Sequence, residues 1–312
     1  MDAILNVAVP VFAIILAGYL AGRSGVLSAS ASQAINGFVY WFALPPLLFH
    51  AMAKVPLAEV FNGPFLAAYS GGVLGTFALS MIAGILVFRG RPAELTLQGQ
   101  TAIFANTGYM GVPLFLAAFG QDGLLPAIIL TVYNGALVIG ISVVLIELDL
   151  LAGERPQRIL GGVALSLLKN PLVMSTALGI FWSAVQLPVP TPVANFCQIL
   201  GASAGPSALF AMGLFLVGKP LAGDMVEISW LVVLKLLVQP AITWWLAVAV
   251  MDLDEFWAVS AVIMAALPTG ALTFTLAQRY GIYVRRATAA TLLSTVLSVI
   301  TLSALLAWLG VG

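Results

Sequence analysis

Residues 102–120, AIFANTGYMGVPLFLAAFG, are apolar enough to enter a bilayer, yet they carry Asn106, Thr107 and Pro113 in the middle of the stretch. A second stretch of this kind, AALPTGALTFTLAQRYG at 265–281, lies at the corresponding place in the other half of the chain. In lipid every backbone N–H and C=O needs a partner, so a broken helix survives only when it is buried in protein or lines a wet cavity. Two interrupted spans in matching positions indicate the binding site of a secondary transporter.

The composition defines the class of protein. Hydrophobic residues make up 62% of the 312 and charged residues only 8%, whereas soluble domains carry roughly 25% charged residues. The apolar runs are long and continuous, which favours an all-α integral membrane protein over a barrel of alternating strands. A net charge of zero argues against a nucleic-acid partner. Because Cys197 is the single cysteine, the sequence predicts no internal disulfide and no metal cluster. We also expect no cofactor.

Apolar stretches of about 20 residues predict ten transmembrane helices. They cover approximately residues 3–22, 34–53, 64–88, 98–119, 124–147, 170–188, 194–217, 228–250, 256–278 and 287–309. We interpret residues 1–148 as a first five-helix repeat, 149–169 as a cytoplasmic connector with an interfacial helix, and 170–312 as a second repeat. Because five is an odd number, two related halves insert in opposite orientations and form an inverted repeat.

The basic residues predict the orientation. Loops after the odd-numbered spans hold Arg23, Arg89, Arg91, Arg155, Arg158, Lys219, Arg279, Arg285 and Arg286. The opposite side holds Lys54 alone, while Lys169 and Lys235 lie at or within spans. Since cytoplasmic loops are enriched in Lys and Arg, we expect the odd loops in the cytoplasm and both termini outside, in a bacterial cytoplasmic membrane.

The two broken stretches supply the first candidates for substrate binding. A half-helix exposes free N–H groups and about half a positive charge at its N-terminal end, which suits a carboxylate, whereas its C-terminal carbonyls suit a small cation. The candidate residues are Asn106, Thr107, Gly108, Pro113, Pro268, Thr269 and Gly270. The alternative is ordinary helix packing through small and polar residues, with proline as a simple kink. The pattern leaves open whether Pro268 corresponds to Ala105 or to Pro113.

Three further polar residues are candidates to line the substrate cavity. Ser207 follows Pro206 in the seventh span, and Tyr133 and Asn134 lie within the fifth. For Ser207 a proline kink tolerated in a membrane helix is the alternative. For Tyr133 and Asn134 the alternative is a hydrogen bond between helices.

Four residues are candidates for coupling or gating. Pro45 and Pro46 kink the second span, and His50 lies near its outer end, where it is either a proton relay or an interfacial hydrogen-bonding group. Lys235 lies about two turns into the eighth span. A charge inside a membrane is a functional candidate, but its long stem also allows the ammonium to reach the interface.

The acidic residues fall in loops or at span ends, with Glu147 nearest to a membrane position. Many proton symporters carry a carboxylate at mid-membrane, so a carboxylate relay in the core is not expected. The sequence also lacks HExxH and Walker patterns, so we do not expect an enzyme.

Five segments together resemble the auxin efflux carrier family, which includes plant carriers and bacterial permeases for malonate or other organic acids. In chain order they read FVYWFALPPLLFH, NTGYMGVPLF, KNPLVMSTALGI, SALFAMGLFLVGKPL and ALPTGALTFTLAQRYG. The resemblance implies a scaffold of spans one, two, six and seven, often dimeric, and a moving transport domain of spans three to five and eight to ten. It also implies that spans four and nine cross at mid-membrane, with Asn106 and the Pro268–Thr269 region where an organic anion binds.

The chain departs from the plant members of that family at three points. It lacks their long hydrophilic middle loop, which favours a small bacterial-type carrier. It has Ala105 where they have a proline before the Asn of span four. Its third span offers Tyr69, Ser70, Thr76 and Ser80 where they carry a carboxylate, so the resemblance alone does not imply proton coupling or auxin transport.

The sequence therefore predicts a secondary carrier that moves a small organic anion, such as malonate or an auxin-like acid, by elevator-type alternating access. Its expected partners are the anion, the lipid bilayer, a second copy of the chain, and a coupling cation that is H⁺ or Na⁺. Two alternatives stay open. One is a sodium-coupled carrier of larger amphipathic anions, since bile-acid symporters share a similar crossover plan. The other is a sensor or channel-like protein on the same fold.

Overall fold

The computed structural model describes residues 9–28, 30–54, 62–150, 165, 168–218 and 224–311. Within these ranges the chain is helical and forms no β-strand. The α-helices are α1 Val9–Arg23, α2 Ala31–Phe38, α3 Leu44–Met52, α4 Gly63–Ala83, α5 Pro92–Ile103, α6 Val112–Phe119, α7 Leu124–Tyr133, α8 Ile139–Leu150, α9 Pro171–Ala184, α10 Thr191–Ala202, α11 Ala204–Leu216, α12 Met225–Val233, α13 Gln239–Trp245, α14 Glu255–Ala266, α15 Ala271–Tyr280 and α16 Val284–Trp308.

Short π-helical turns continue several of these helices. They are Val39–Ala43, Gly84–Phe88, Thr107–Gly111, Asn134–Val138, Leu234–Val238 and Leu246–Val250. Three of them run directly into a helix whose second residue is proline, namely Pro45 in α3, Pro113 in α6 and Pro240 in α13. Proline has no N–H to donate and its ring clashes with the carbonyl four residues earlier. The wider π turn accommodates the ring without ending the span.

The all-helical membrane architecture expected from the composition is confirmed. Helices lie at all ten predicted spans, and five stretches are long and apolar enough to cross a membrane by length and composition, namely Gly63–Phe88, Thr107–Tyr133, Thr191–Leu216, Met225–Val250 and Val284–Trp308. The second of these contains a turn at Gly120, where φ is 61°, between α6 and α7. The count of ten spans and the inverted repeat stay predictions.

Helix packing falls into two groups. In one group α1 packs along α11, α2 packs on α11, and α3 packs on α9 and α10. In the other, α4 packs on α5, α13 and α14, α5 packs on α8, and α16 packs on α12 and α15. Helices α6 and α7 touch both groups, because α6 contacts α11 while α7 contacts α3 and α14. The segment between α5 and α6 therefore lies where the two groups meet.

Hydrogen bonds and an ion pair connect helices at one end of the second packing group. The Tyr283 hydroxyl donates to the buried carboxylate of Glu227, and Arg286 Nε lies 3.0 Å from the same carboxylate. The Tyr280 hydroxyl donates to Glu147 at 2.9 Å. These contacts join the turn between α15 and α16 to α12 and α8.

Most of the predicted connector 149–169 lies outside the described residues, as do Arg155, Arg158 and Lys219. The predicted orientation of the chain therefore stays a prediction.

The first group is held by a close approach of α1 and α11. A Cβ atom on Gly213 would lie 1.9 Å from the Ile15 carbonyl oxygen, and one on Gly18 would lie 2.1 Å from the Phe210 carbonyl oxygen. Small residues at such contacts let two backbones meet directly, which is how helices associate in lipid.

We expect Gly213→Val to separate α1 from α11 and to lower the melting temperature of the detergent-solubilised protein. Overpacking of this kind costs about 1–3 kcal/mol, which corresponds to about 5 °C. The matched control is Gly37→Ala in α2, because a Cβ there meets nothing within 4 Å. A Gly213→Val protein as stable as Gly37→Ala would contradict the packing described here.

Candidate functional site: the crossing of two broken helices

Two helices are interrupted at the same place in the molecule. Helix α5 ends at Ile103 and helical structure resumes at Thr107, while α14 ends at Ala266 and α15 begins at Ala271. The intervening segments run antiparallel and pair at a single bridge between Ala105 and Thr269. Each break thus lies against the other.

Two backbone hydrogen bonds close the crossing. The Asn106 N–H donates to the Pro268 carbonyl at 2.9 Å, and the Gly270 N–H donates to the Phe104 carbonyl at 2.9 Å. Each break supplies one donor and one acceptor to the other, so polar backbone freed by the interruptions is satisfied inside the protein. The close approach needs glycine, because a Cβ on Gly270 would lie 2.7 Å from the Phe104 ring.

The bridge places Asn106 opposite Pro268 and Phe104 opposite Gly270. The correspondence of Pro268 with Ala105 or with Pro113 stays a prediction, as does the inverted repeat.

Three side chains donate hydrogen bonds to carbonyl groups at the C-terminal ends of the broken helices. The Thr269 hydroxyl donates to the Thr101 carbonyl at 2.9 Å, and Gln239 Nε2 donates to the Ile103 carbonyl at 3.2 Å. The Lys235 ammonium donates to the Ala265 carbonyl at 2.5 Å. The last turn of a helix leaves its carbonyls without helical donors, and these three side chains supply donors from neighbouring segments.

A small central pocket lies at the N-terminal ends of the two resumed helices. It has a volume of about 40 Å³ and is lined by Asn106, Thr107 and Gly108 from one break and by Ala271 and Leu272 from the start of α15. This volume holds about three water molecules, so a carboxylate-bearing molecule requires the pocket to widen. The first turn of a helix leaves backbone N–H groups without partners inside the helix, and such groups can bind an anion.

Larger cavities lie on either side of the central pocket. One of about 960 Å³ is lined by His50, Lys54 and Asp122, and one of about 440 Å³ is lined by Ser32 and Gln278. The segment α2–α3 runs from the second cavity past the central pocket to the first. The site is therefore flanked by a vestibule at each end of the bundle.

Asn106 joins the crossing to the other packing group. Its side-chain Nδ2 donates to Met212 Sδ in α11 at 3.0 Å, and its carbonyl accepts the N–H groups of Met110 and Gly111. Asn106 is 2% exposed, and among the described residues no hydrogen-bond donor reaches its side-chain Oδ1. A buried amide with spare hydrogen-bonding capacity beside a pocket is suited to a polar ligand.

The remaining candidates at the breaks have structural contacts. Pro113 packs beside Gly205 of α11, at 3.4 Å from the position of a Cβ there. Thr269 uses its hydroxyl on Thr101 and donates its N–H to Ser294 Oγ at 3.1 Å. Neither residue lines the central pocket.

The candidates from other spans lie away from the central pocket. Asn134 Nδ2 donates to the Tyr69 hydroxyl at 2.9 Å, and the Tyr133 ring packs edge-on against Tyr69 at 5.5 Å. These are contacts between helices, the alternative that the sequence left open. Ser207 lies in an open groove with Ile14. His50 approaches Gln198 across the large cavity, with 3.2 Å between their Nε2 atoms.

Sequence reasoning missed several residues at the crossing. Tyr40, Tyr109 and Asn170 line the central pocket, and Met212 and Ser294 hold residues of the two breaks. Tyr109 directly follows the Asn-Thr-Gly motif, so the sequence alone could have indicated it as a residue of the site. Met212 and Ser294 are ordinary residues of apolar helices and become visible only through their contacts.

Two broken helices that meet inside an apolar bundle, beside a small pocket, are typical of integral membrane transporters. The chain matches the family described as "Membrane transport protein" over residues 3–306. It therefore belongs to this family, which confirms the resemblance to the auxin efflux carriers.

Two of the relatives cover nearly the whole chain, and a third covers part of it. A "Putative malonate transporter" of Rhizobium meliloti is 30% identical over 98% of this chain and 96% of its own length. The "Uncharacterized transporter YfdV" of Escherichia coli is 26% identical over 94% of this chain and 93% of its own. A "Probable auxin efflux carrier component 1b" of Oryza sativa is 30% identical over 38% of this chain and 22% of its own.

We expect Thr269→Val to destabilise the protein by about 1–3 kcal/mol, because the buried Thr101 carbonyl loses its donor. The measurement is thermal unfolding in detergent. Thr295→Val is the matched control, since this buried hydroxyl donates only to the Thr291 carbonyl within its own helix. Equal melting temperatures for the two variants would show that the Thr269–Thr101 bond does not hold the crossing.

Proposed function

We propose that the protein is a secondary carrier of a small organic anion, a carboxylate such as malonate or an auxin-like acid. The observation that carries the proposal is the central pocket, where Asn106 meets the N-terminal ends of both resumed helices. Two N-termini contribute about half a positive charge each, which balances one carboxylate without a basic side chain. The name of the Rhizobium relative supports a dicarboxylate of malonate size.

The binding mode follows from the free groups at the pocket. One carboxylate oxygen accepts N–H groups at the start of the Thr107–Gly111 turn, and the other accepts those at the start of α15. The Asn106 amide, with the hydroxyl of Thr107 beside it, adds side-chain contacts. Thr269 supports the site through its bond to Thr101 and does not touch the anion.

The proposed mechanism is elevator-type alternating access. The packing of α1–α3 with α9–α11 supports a scaffold of spans one, two, six and seven, which the family relationship suggests is dimeric. The second packing group supports a moving transport domain of spans three to five and eight to ten. Movement of the crossing along the scaffold would open the pocket to one vestibule and then to the other, with the Asn106–Met212 contact exchanged during the motion.

Two alternatives make different predictions. A sodium-coupled carrier of larger amphipathic anions would show uptake that depends on sodium. A sensor or channel-like protein would show no counterflow, and a channel would conduct without saturation.

We expect Asn106→Ala to lose saturable counterflow of labelled malonate or a related carboxylate in proteoliposomes while the protein stays folded. The loss is at least about tenfold, because a polar contact to a charged group contributes about 1.5–3 kcal/mol. The matched control is Asn195→Ala, an exposed asparagine of α10, which should transport normally. Normal counterflow by folded Asn106→Ala would overturn the assignment of the site.

The proposed topology places the loop after α1 in the cytoplasm and the α6–α7 turn outside. In a Cys197→Ser background, a membrane-impermeant maleimide added to intact cells should label Asp122→Cys and leave Ser24→Cys unlabelled until the membrane is opened. Both positions are exposed in the structure. The reverse pattern would invert the topology.

A further inference from the structure

Lys235 is a buried lysine that has no carboxylate partner in the part of the chain that the structure describes. It lies ten residues after Met225, the start of its membrane-crossing stretch, so it is about 15 Å along the helix. Its side chain is 0% exposed, and its ammonium donates to the Ala265 carbonyl. Among the described residues no carboxylate pairs with it. The ammonium thus lies inside the bundle and does not reach the interface.

The ammonium lies at the C-terminal side of the crossing. Ala265 is the penultimate residue of α14, three positions before Pro268, whose carbonyl accepts the Asn106 N–H. One helical turn after Lys235, Gln239 donates to the carbonyl of Ile103, the last residue of α5. Side chains from one face of a single span therefore reach the C-terminal ends of both half-helices.

The charges at this place balance. Each helix C-terminus carries about half a negative charge, so two converging ends amount to about one, which one ammonium neutralises. An isolated charged side chain is expensive inside a membrane, and the helix ends provide the compensation that no carboxylate supplies here. In transporters with broken helices, carbonyl ends of this kind are places that otherwise hold a coupling Na⁺ or H⁺.

We propose that the Lys235 ammonium is a resident cation at the crossing, in the place that a free sodium ion would take. It binds the C-terminal end of α14 permanently, while Gln239 of the same span binds that of α5. The opposite, N-terminal side of the crossing is therefore ready for an anion without sodium. The effect on anion binding rests on the proposed carrier function, whereas the cation site itself does not. Gln239 Oε1 is buried without a donor one turn away, so shortening Lys235 leaves oxygen atoms for sodium to bind.

The test is the thermal unfolding of the purified full-length protein in detergent, without any organic anion, in sodium chloride and in choline chloride at about 0.15 M. Wild type should melt at the same temperature in both salts. In choline chloride, Lys235→Ala should melt at a lower temperature than wild type. In sodium chloride, the melting temperature of the same variant should rise by about 4 °C. Lys235→Met should show no sodium gain, because its side chain fills the space with apolar atoms. Lys169→Ala, which removes an exposed lysine, is the matched control and should also show none.

Lys235→Ser is a second shortened variant and should show the same sodium gain as Lys235→Ala. A shortened variant that is folded only in sodium supports the inference. A sodium-specific rise for wild type, or shortened variants that are indifferent to sodium, would overturn it.

Failure of this inference and failure of the carrier function are distinguishable. If wild-type proteoliposomes show no anion counterflow, the proposed carrier function fails, and the melting temperatures still test the proposed role of Lys235. If wild type shows counterflow but the shortened variants do not respond to sodium, only the proposed role of Lys235 fails.

Discussion

The pairing of broken backbone with broken backbone is the interaction on which the rest of this molecule depends. Lipid offers no hydrogen bonds, so an interrupted helix at mid-membrane needs partners from protein. Here each interruption supplies them to the other, through the Asn106–Pro268 and Gly270–Phe104 bonds. Without the other break, each would leave buried backbone groups without hydrogen-bond partners. The requirement explains why Gly270 faces the Phe104 ring and why two distant parts of the chain meet in one register.

The crossing separates two chemically different sides. Helix C-terminal carbonyls on one side are held by Thr269, Gln239 and Lys235 from neighbouring segments. On the other side, helix N-terminal ends border a pocket whose side-chain amide, that of Asn106, keeps hydrogen-bonding capacity. The protein's own side chains thus bind the carbonyl ends on one side of the crossing. The division between the two sides is the basis of the proposal that an anion binds on the other side.

Much of the architecture was predictable because lipid imposes simple rules on sequence. Apolar length located the helices, and the coincidence of Asn106, Thr107 and Pro268 with apolar stretches located both breaks. The register of the crossing was not predictable, because it is set by backbone pairing that does not depend on side-chain identity. Ser207, Tyr133 and Asn134 had the right polarity, but single-span patterns do not show which helix face meets the pocket.

The most direct test of the central claim is an experimental structure of the protein with bound malonate. The account predicts the carboxylate between the start of the Thr107–Gly111 turn and the start of α15, within hydrogen-bonding distance of the Asn106 amide. It also predicts that the Asn106–Pro268 and Gly270–Phe104 bonds persist. Malonate bound instead in the large cavity near His50 and Lys54, with the crossing unoccupied, would contradict the account.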